Sequence, residues 1–289
     1  MDKSLKKRWT LFKKLISLIR PINSTLVGFA VIVGIAVSSL DNIIRIATPL
    51  GFLTGFFISS YSMIINDYYD IEVDRINNPK KPLPSGEISK KTAVQFASIM
   101  LICGLLTSAL VNNTTLFIAI IFAIIAWIYN SWGKKKALLG NSMVALSVAI
   151  PYLYGGLSIQ TMNTPLILCL TLTSFSAALG REIIKTISDT EGDKQKEINS
   201  ISVIYGERSS SIIGSIFFII AIITSIVPYI LDMVKVTYVI LVTPSIILFI
   251  FSSIIIIKDY SKENSIRVKK INLLAMFLGL IAFIIGPNL

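Results

Sequence analysis

Five aspartates carry the chemistry that is legible in this sequence. Asp67, Asp70 and Asp74 stand in the stretch NDYYDIEVD, and Asp189 and Asp193 in DTEGD. At about 100° per residue on an α-helix, the first three fall within an arc of roughly 60°. Glu72 points to the far side, while Asp189 and Asp193, four residues apart, again share a face. Carboxylates ranked along one face repel each other, and at a helix C-terminus each opposes the macrodipole by roughly 0.3–1 kcal/mol. Positive charge must therefore meet them. An all-oxygen donor set suits Mg²⁺ or Ca²⁺ rather than zinc, and Mg²⁺ characteristically bridges a few carboxylates to the phosphates of a substrate. Arg75, Lys80, Lys81, Arg181 and Lys185 lie close by in sequence and would meet the remaining phosphate charge. The plain alternative is a solvated helix end. Two matching stripes, each followed by a basic loop, favour the metal and phosphate site, and Glu72, Glu191 and Glu197 are left as solvated charge.

The elements that must position these acids are membrane helices. The 289-residue chain is 54% hydrophobic and 15% charged, with a mean hydropathy of +0.76, far above that of a soluble domain. Apolar runs of about 20 residues, the length that crosses the hydrocarbon, occupy residues 22–40, 47–66, 92–111, 115–132, 141–158, 165–187, 211–231, 236–257 and 270–287. All but Arg45 and Lys235 of the 27 Lys and Arg fall in the N-terminal tail or around the even-numbered loops. Cytoplasmic loops carry such excess, so the N-terminus is expected inside and the C-terminus outside. The net charge of +11 then reads as topology and attraction to anionic lipid, with no call for nucleic acid.

The first apolar run is longer than the core of a secretory signal and is expected to stay as a helix. Both acidic stripes close spans that run inward, the second and the sixth. That spacing suggests two parallel four-helix halves, spans 1–4 and 5–8, with a ninth helix added. The chain has no histidine, which excludes serine-histidine triads, HExxH zinc sites and imidazole acid-base catalysis. Cys103 and Cys169 both fall inside spans and read as small hydrophobes.

The acid stretches and their surroundings resemble the UbiA superfamily of intramembrane prenyltransferases. NDYYDIEVD fits its NDxxDxxxD motif and DTEGD its DxxxD motif; RPIN, RINNPKKPLPSG, YNSWGKKKALLGN and GREIIKTISDTEGDKQKEINSISVIYG extend the similarity over nearly the whole chain. The resemblance implies one domain over residues 1–289, with nine helices around a central cavity. Residues 1–21 would form a basic cytoplasmic tail, and residues 75–91 and 188–210 cytoplasmic loops over the active site. Two Mg²⁺ ions held by Asp67, Asp70, Asp74, Asp189 and Asp193 would bind an isoprenyl diphosphate, whose tail runs between the helices. A membrane location with the site opening to the cytoplasm follows, and no obligate protein partner is inferred.

The wording around DTEGD is most similar to a branch whose lipid acceptor is geranylgeranylglyceryl phosphate. The alternatives are an aromatic or chlorophyll-like acceptor. Lys134, Lys135 and Lys136 would meet the acceptor's phosphate, or serve only as a positive-inside anchor. Asn23, Asn66 and Asn141 match family positions and would bind diphosphate or a metal-bound water; for Asn23 and Asn141 the alternative is interhelical hydrogen bonding. Tyr68, Tyr69 and Tyr129 either line the cavity, where an aromatic face steadies positive charge, or anchor the interface. A secondary transporter also combines many spans with acids, yet transporters place them at the midplane beside broken helices. Here they cluster at one interface.

Overall fold

The computed structural model of the chain describes residues 3–159, 164–195 and 198–288. Eleven α-helices account for most of these residues. A helix over Lys3–Leu18 (α1) precedes Pro21–Ser38 (α2), Ala47–Tyr69 (α3), the short Ile71–Asn77 (α4), Lys90–Ala109 (α5) and Asn113–Ser131 (α6). Ala137–Leu157 (α7), Thr164–Gln195 (α8), Ile201–Ile230 (α9), Val236–Lys258 (α10) and Lys262–Ile285 (α11) complete the order. Among the described residues nine helices, all but α1 and α4, are long and apolar enough to cross a membrane. The protein is a multi-pass membrane protein, and no strand occurs among the described residues.

Helix ends follow local chemistry. Ser89 caps α5 by accepting from the Thr92 amide, and Asn112 caps α6 through the Thr115 amide. Pro21 opens α2 at a position where its missing N–H costs nothing. Within the spans, small residues let backbones touch. A Cβ on Gly34 would stand 2.2 Å from the Tyr152 carbonyl oxygen, and one on Gly155 would stand 2.1 Å from that of Val31. This seam locks α2 against α7, the first spans of the two halves.

The halves carry matching devices. Thr54 on α3 shares a hydrogen bond with Thr107 on α5, and Thr173 on α8 shares one with Thr224 on α9. Thr54 precedes Asp70 by the same number of residues that separates Thr173 from Asp189. The fourfold span offset is therefore repeated in side-chain pairing as well as in the acids.

Three differences from the sequence expectation bear on the site. The basic tail contains a helix, α1, whose Leu15 and Leu18, with Ile19 just beyond its end, pack with Leu83 and Ile88 of the loop after the first acid stretch. Lys14 joins it to that loop by an ion pair with Glu87 at 2.7 Å. The second difference concerns residues 188–210, expected as a loop. The helix instead runs on to Gln195, and α9 begins at Ile201; of the stretch, Lys196 and Glu197 lie outside the described residues. No proline interrupts α8 after Pro165, so its ladder of backbone hydrogen bonds outlasts its apolar character. Third, the first acid stretch is not one straight helix. Asp70 sits between α3 and α4 with φ −92° and ψ 6°, although the bonds from its amide to Asn66 and from the Asp74 amide to its carbonyl continue through the bend.

Candidate active site

Four of the five aspartates line a single cavity of about 490 Å³ at one end of the bundle. Asp70 and Asp74 enter it from the α3–α4 bend, and Asp189 and Asp193 from the last turns of α8. Tyr129 of α6, Lys134 and Lys135 of the turn after it, Asn141 of α7, and Lys185 and Glu182 of α8 complete much of the wall. The long extension of α8 is what brings the second pair of acids opposite the first.

The first acid stretch is already matched with positive charge. Asp67, 4% exposed, accepts from an Arg20 guanidinium nitrogen at 2.7 Å and from Lys81 Nζ at 3.1 Å. Lys81 also reaches Asp74 at 2.7 Å, and Lys134 pairs with Asp70. Burial works to lower the Lys81 pKa, but the hydrogen bonds and charges of Asp74 and Asp67 outweigh it and hold the ammonium above its usual range. Arg20 adopts a left-handed backbone, φ 45° and ψ 70°, uncommon for a residue with a side chain. It sits at the joint between α1 and α2, where its guanidinium also lies 3.5 Å from Asn66 Oδ1.

A second cavity of about 230 Å³ shares Tyr129 and Val144 with the first and is otherwise lined by Arg20 and by residues of α3, α6 and α7. Asn66 faces this space, with its amide nitrogen donating to Asn130 Oδ1 at 2.8 Å. Its remaining wall is mixed, from Phe122 and Ile125 to Ser62 and Ser147.

Several sequence candidates fall elsewhere. Asn23 is exposed on α2 and lines neither cavity. Arg75 is turned to solvent with Glu72, the two paired at 2.8 Å, because α4 points both away from the buried face that holds Asp74. Arg181 pairs with Glu182 at 3.0 Å and keeps its Nε buried without a partner. Asn141 lines the first cavity with its amide nitrogen also unpartnered. Three residues at the site were given no role by sequence reasoning. Arg20 was counted only as a topological charge, though its place just before Pro21 at the expected interface was a usable signal. Glu182 stands seven residues, about two helical turns, before Asp189 on the same helix and so carried a signal; Ser200 carried none.

Whether these residues suit a divalent cation is a matter of donor chemistry. The cavity acids offer oxygen alone, the donor class Mg²⁺ prefers. Among the described residues no three carboxylates converge closely enough to hold an ion between them; ammonium and guanidinium groups stand against the first stretch instead. The acids fit the cation in type and placement, and the lysines mark where positive charge is required.

A nine-span helical membrane fold with acids of two halves facing one cavity defines a class. The chain belongs to the UbiA prenyltransferase family, whose pattern matches residues 26–285. It is therefore a prenyltransferase, and the transporter alternative falls away. The digeranylgeranylglyceryl phosphate synthase of Methanocaldococcus jannaschii is 35% identical over 274 residues, which cover 95% of this chain and 96% of that protein. A solved digeranylgeranylglyceryl phosphate synthase, also 35% identical, superposes with a TM-score of 0.89 over 96% of this chain and 98% of the other. A UbiA homologue from Archaeoglobus fulgidus, solved with GPP and Mg²⁺, shares the fold at 23% identity with a TM-score of 0.69, over 93% and 99% of the two chains.

Proposed function

We propose that this protein transfers a geranylgeranyl group from geranylgeranyl diphosphate to the free hydroxyl of geranylgeranylglyceryl phosphate, forming the second ether bond of an archaeal membrane lipid. The observation that carries the reading is the cavity that gathers acids of both motifs together with lysines. Similarity over nearly the full length to digeranylgeranylglyceryl phosphate synthases supports the acceptor.

Asp70, Asp74, Asp189 and Asp193 would hold Mg²⁺, in keeping with two ions for two motifs; when bound, the metal neutralises charge on the departing diphosphate. Asp67 stays with Arg20 and Lys81 and positions the lysine. Lys81, Lys134 and Lys185 supply ammonium donors to phosphate oxygens, stabilising charge that grows as the allylic C–O bond breaks. The acceptor oxygen then bonds to the same carbon, and its proton passes to an aspartate or to the released diphosphate. Helices packed around the cavity keep water from the electrophile. Such an electrophile asks for no strong base, which suits a chain without histidine. The cavity opens to the cytoplasmic face, since the flanking loops carry the basic residues.

The test is incubation of purified protein with geranylgeranyl diphosphate, Mg²⁺ and either geranylgeranylglyceryl phosphate or an aromatic acid, with products identified by mass. Prenylation of the glyceryl phosphate is expected. Prenylation of the aromatic acid alone defeats the reading.

A further inference from the structure

We infer that Ser200 and Lys135 form the subsite for the acceptor's phosphate, an inference that rests on the acceptor reading above. Ser200 is 6% exposed and lines the first cavity, and its hydroxyl has no hydrogen-bond partner in the protein. The residue immediately precedes α9, where a serine ordinarily accepts from a backbone amide two or three residues on. Here that cap bond is not made. A hydroxyl both desolvated and unpaired is a costly arrangement unless a ligand completes it.

The surroundings say what kind of ligand. Lys136 and Asn199 form an isolated β-bridge, which stitches the segment carrying Ser200 to the turn carrying Lys134 and Lys135. Of the three lysines on the cavity wall, Lys134 is held by Asp70 and Lys185 lies 3.4 Å from Glu182. Lys135, exposed on the same wall, makes no ion pair with a carboxylate among the described residues. A cation not already neutralised, beside a hydroxyl not already bonded, matches the oxygens of a phosphate monoester. The carboxylates and their paired lysines serve the diphosphate, so this remaining pair is left for the second phosphate that enters the reaction.

The experiment compares wild type, S200A, S200T and K135Q in steady-state assays with geranylgeranylglyceryl phosphate and with its dephosphorylated alcohol. S200A is expected to raise the KM for the phosphate acceptor about tenfold, the size of one lost bond to a charged group, with the donor KM unchanged. S200T restores the hydroxyl and most of the affinity, K135Q repeats the S200A defect, and neither defect persists with the alcohol. An equal rise in donor KM, an equal handicap with the alcohol, or an unaltered acceptor KM overturns the inference. Should S200A not fold, K135Q decides: a defect independent of the acceptor's phosphate overturns it. Wild-type protein that does not alkylate the phosphate acceptor defeats the functional reading and this subsite together, whereas active wild type matched by S200A and K135Q defeats the subsite alone.

Discussion

At the scale of the residue, the site is a set of acids whose compensation is visible. Asp70 touches Lys134 and the cavity, and Asp189 lines the opposite wall, so D70N or D189N keeps shape and removes charge. Each is expected to lower turnover by roughly 10²–10³-fold with an unchanged melting temperature, read by product formation and thermal unfolding; Mg²⁺-dependent turnover at wild-type rates would sink the assignment. Arg20 makes a separate prediction. R20A should reduce kcat/KM by roughly 10- to 100-fold because Asp67 loses its shorter ionic contact. R20K should fall between, since it keeps the positive charge that faces Asp67 but loses the planar, pre-organised guanidinium, one nitrogen of which reaches both Asp67 and Asn66. If R20A and R20K behave alike, the charge facing Asp67 is not what carries the effect. The alignment of the aspartates was legible in sequence because helical spacing alone produces it, but the departure of Asp67, which turns to Arg20 and Lys81 and does not line the cavity, was not. Arg20 and Ser200 were not, because their roles depend on a left-handed joint and on an unused cap, neither of which has a periodic signature.

At the scale of the element, close backbone approach fixes what side chains then exploit. The α2–α7 seam leaves no room at Gly155. G155A should therefore destabilise by about 1–3 kcal/mol through overpacking, measured as a lowered midpoint in detergent, while an equivalent change at Gly192, which has open space around its Cα, should not. Gly206 supplies another constraint: its φ of 82° breaks α9 after one turn, and only glycine takes that region cheaply. G206A is expected to cost about 1–2 kcal/mol. The existence of the spans and most of their ends were readable to within a few residues, because about 20 apolar residues and the segregation of Lys and Arg are physical requirements of a bilayer. The C-terminal end of α8, the starts of α9 and α11 and the presence of α1 were not. Hydropathy marks where lipid stops, whereas the hydrogen-bond ladder decides where a helix stops.

At the scale of the whole molecule, charge and topology make one further prediction. Single cysteines placed at Glu87 and Asp232, in a background without Cys103 and Cys169, should label with a membrane-impermeant reagent from opposite sides of sealed vesicles, with Glu87 on the cytoplasmic side. Labelling of both from one side would overturn the orientation. The four-span offset was readable from the acids, and its echo in the two threonine pairs was not, since single hydroxyls in apolar helices carry no period.

The same architecture has a consequence in time. Arg20, Lys81 and Lys134, which meet Asp67, Asp70 and Asp74, all belong to the N-terminal half, while Arg181 and Lys185 meet Glu182 within their own. Yet Gly34 must find Gly155, which a ribosome at about 5–20 residues per second delivers roughly 6–24 s later. During that wait the first half rests in the bilayer with a glycine groove facing lipid, Asp67 and Asp74 already quieted by Arg20 and Lys81 and Asp70 awaiting Lys134. For Asp67 and Asp74 the nascent chain thus defers only a steric fit, and not a charge, to the part of itself still to be made.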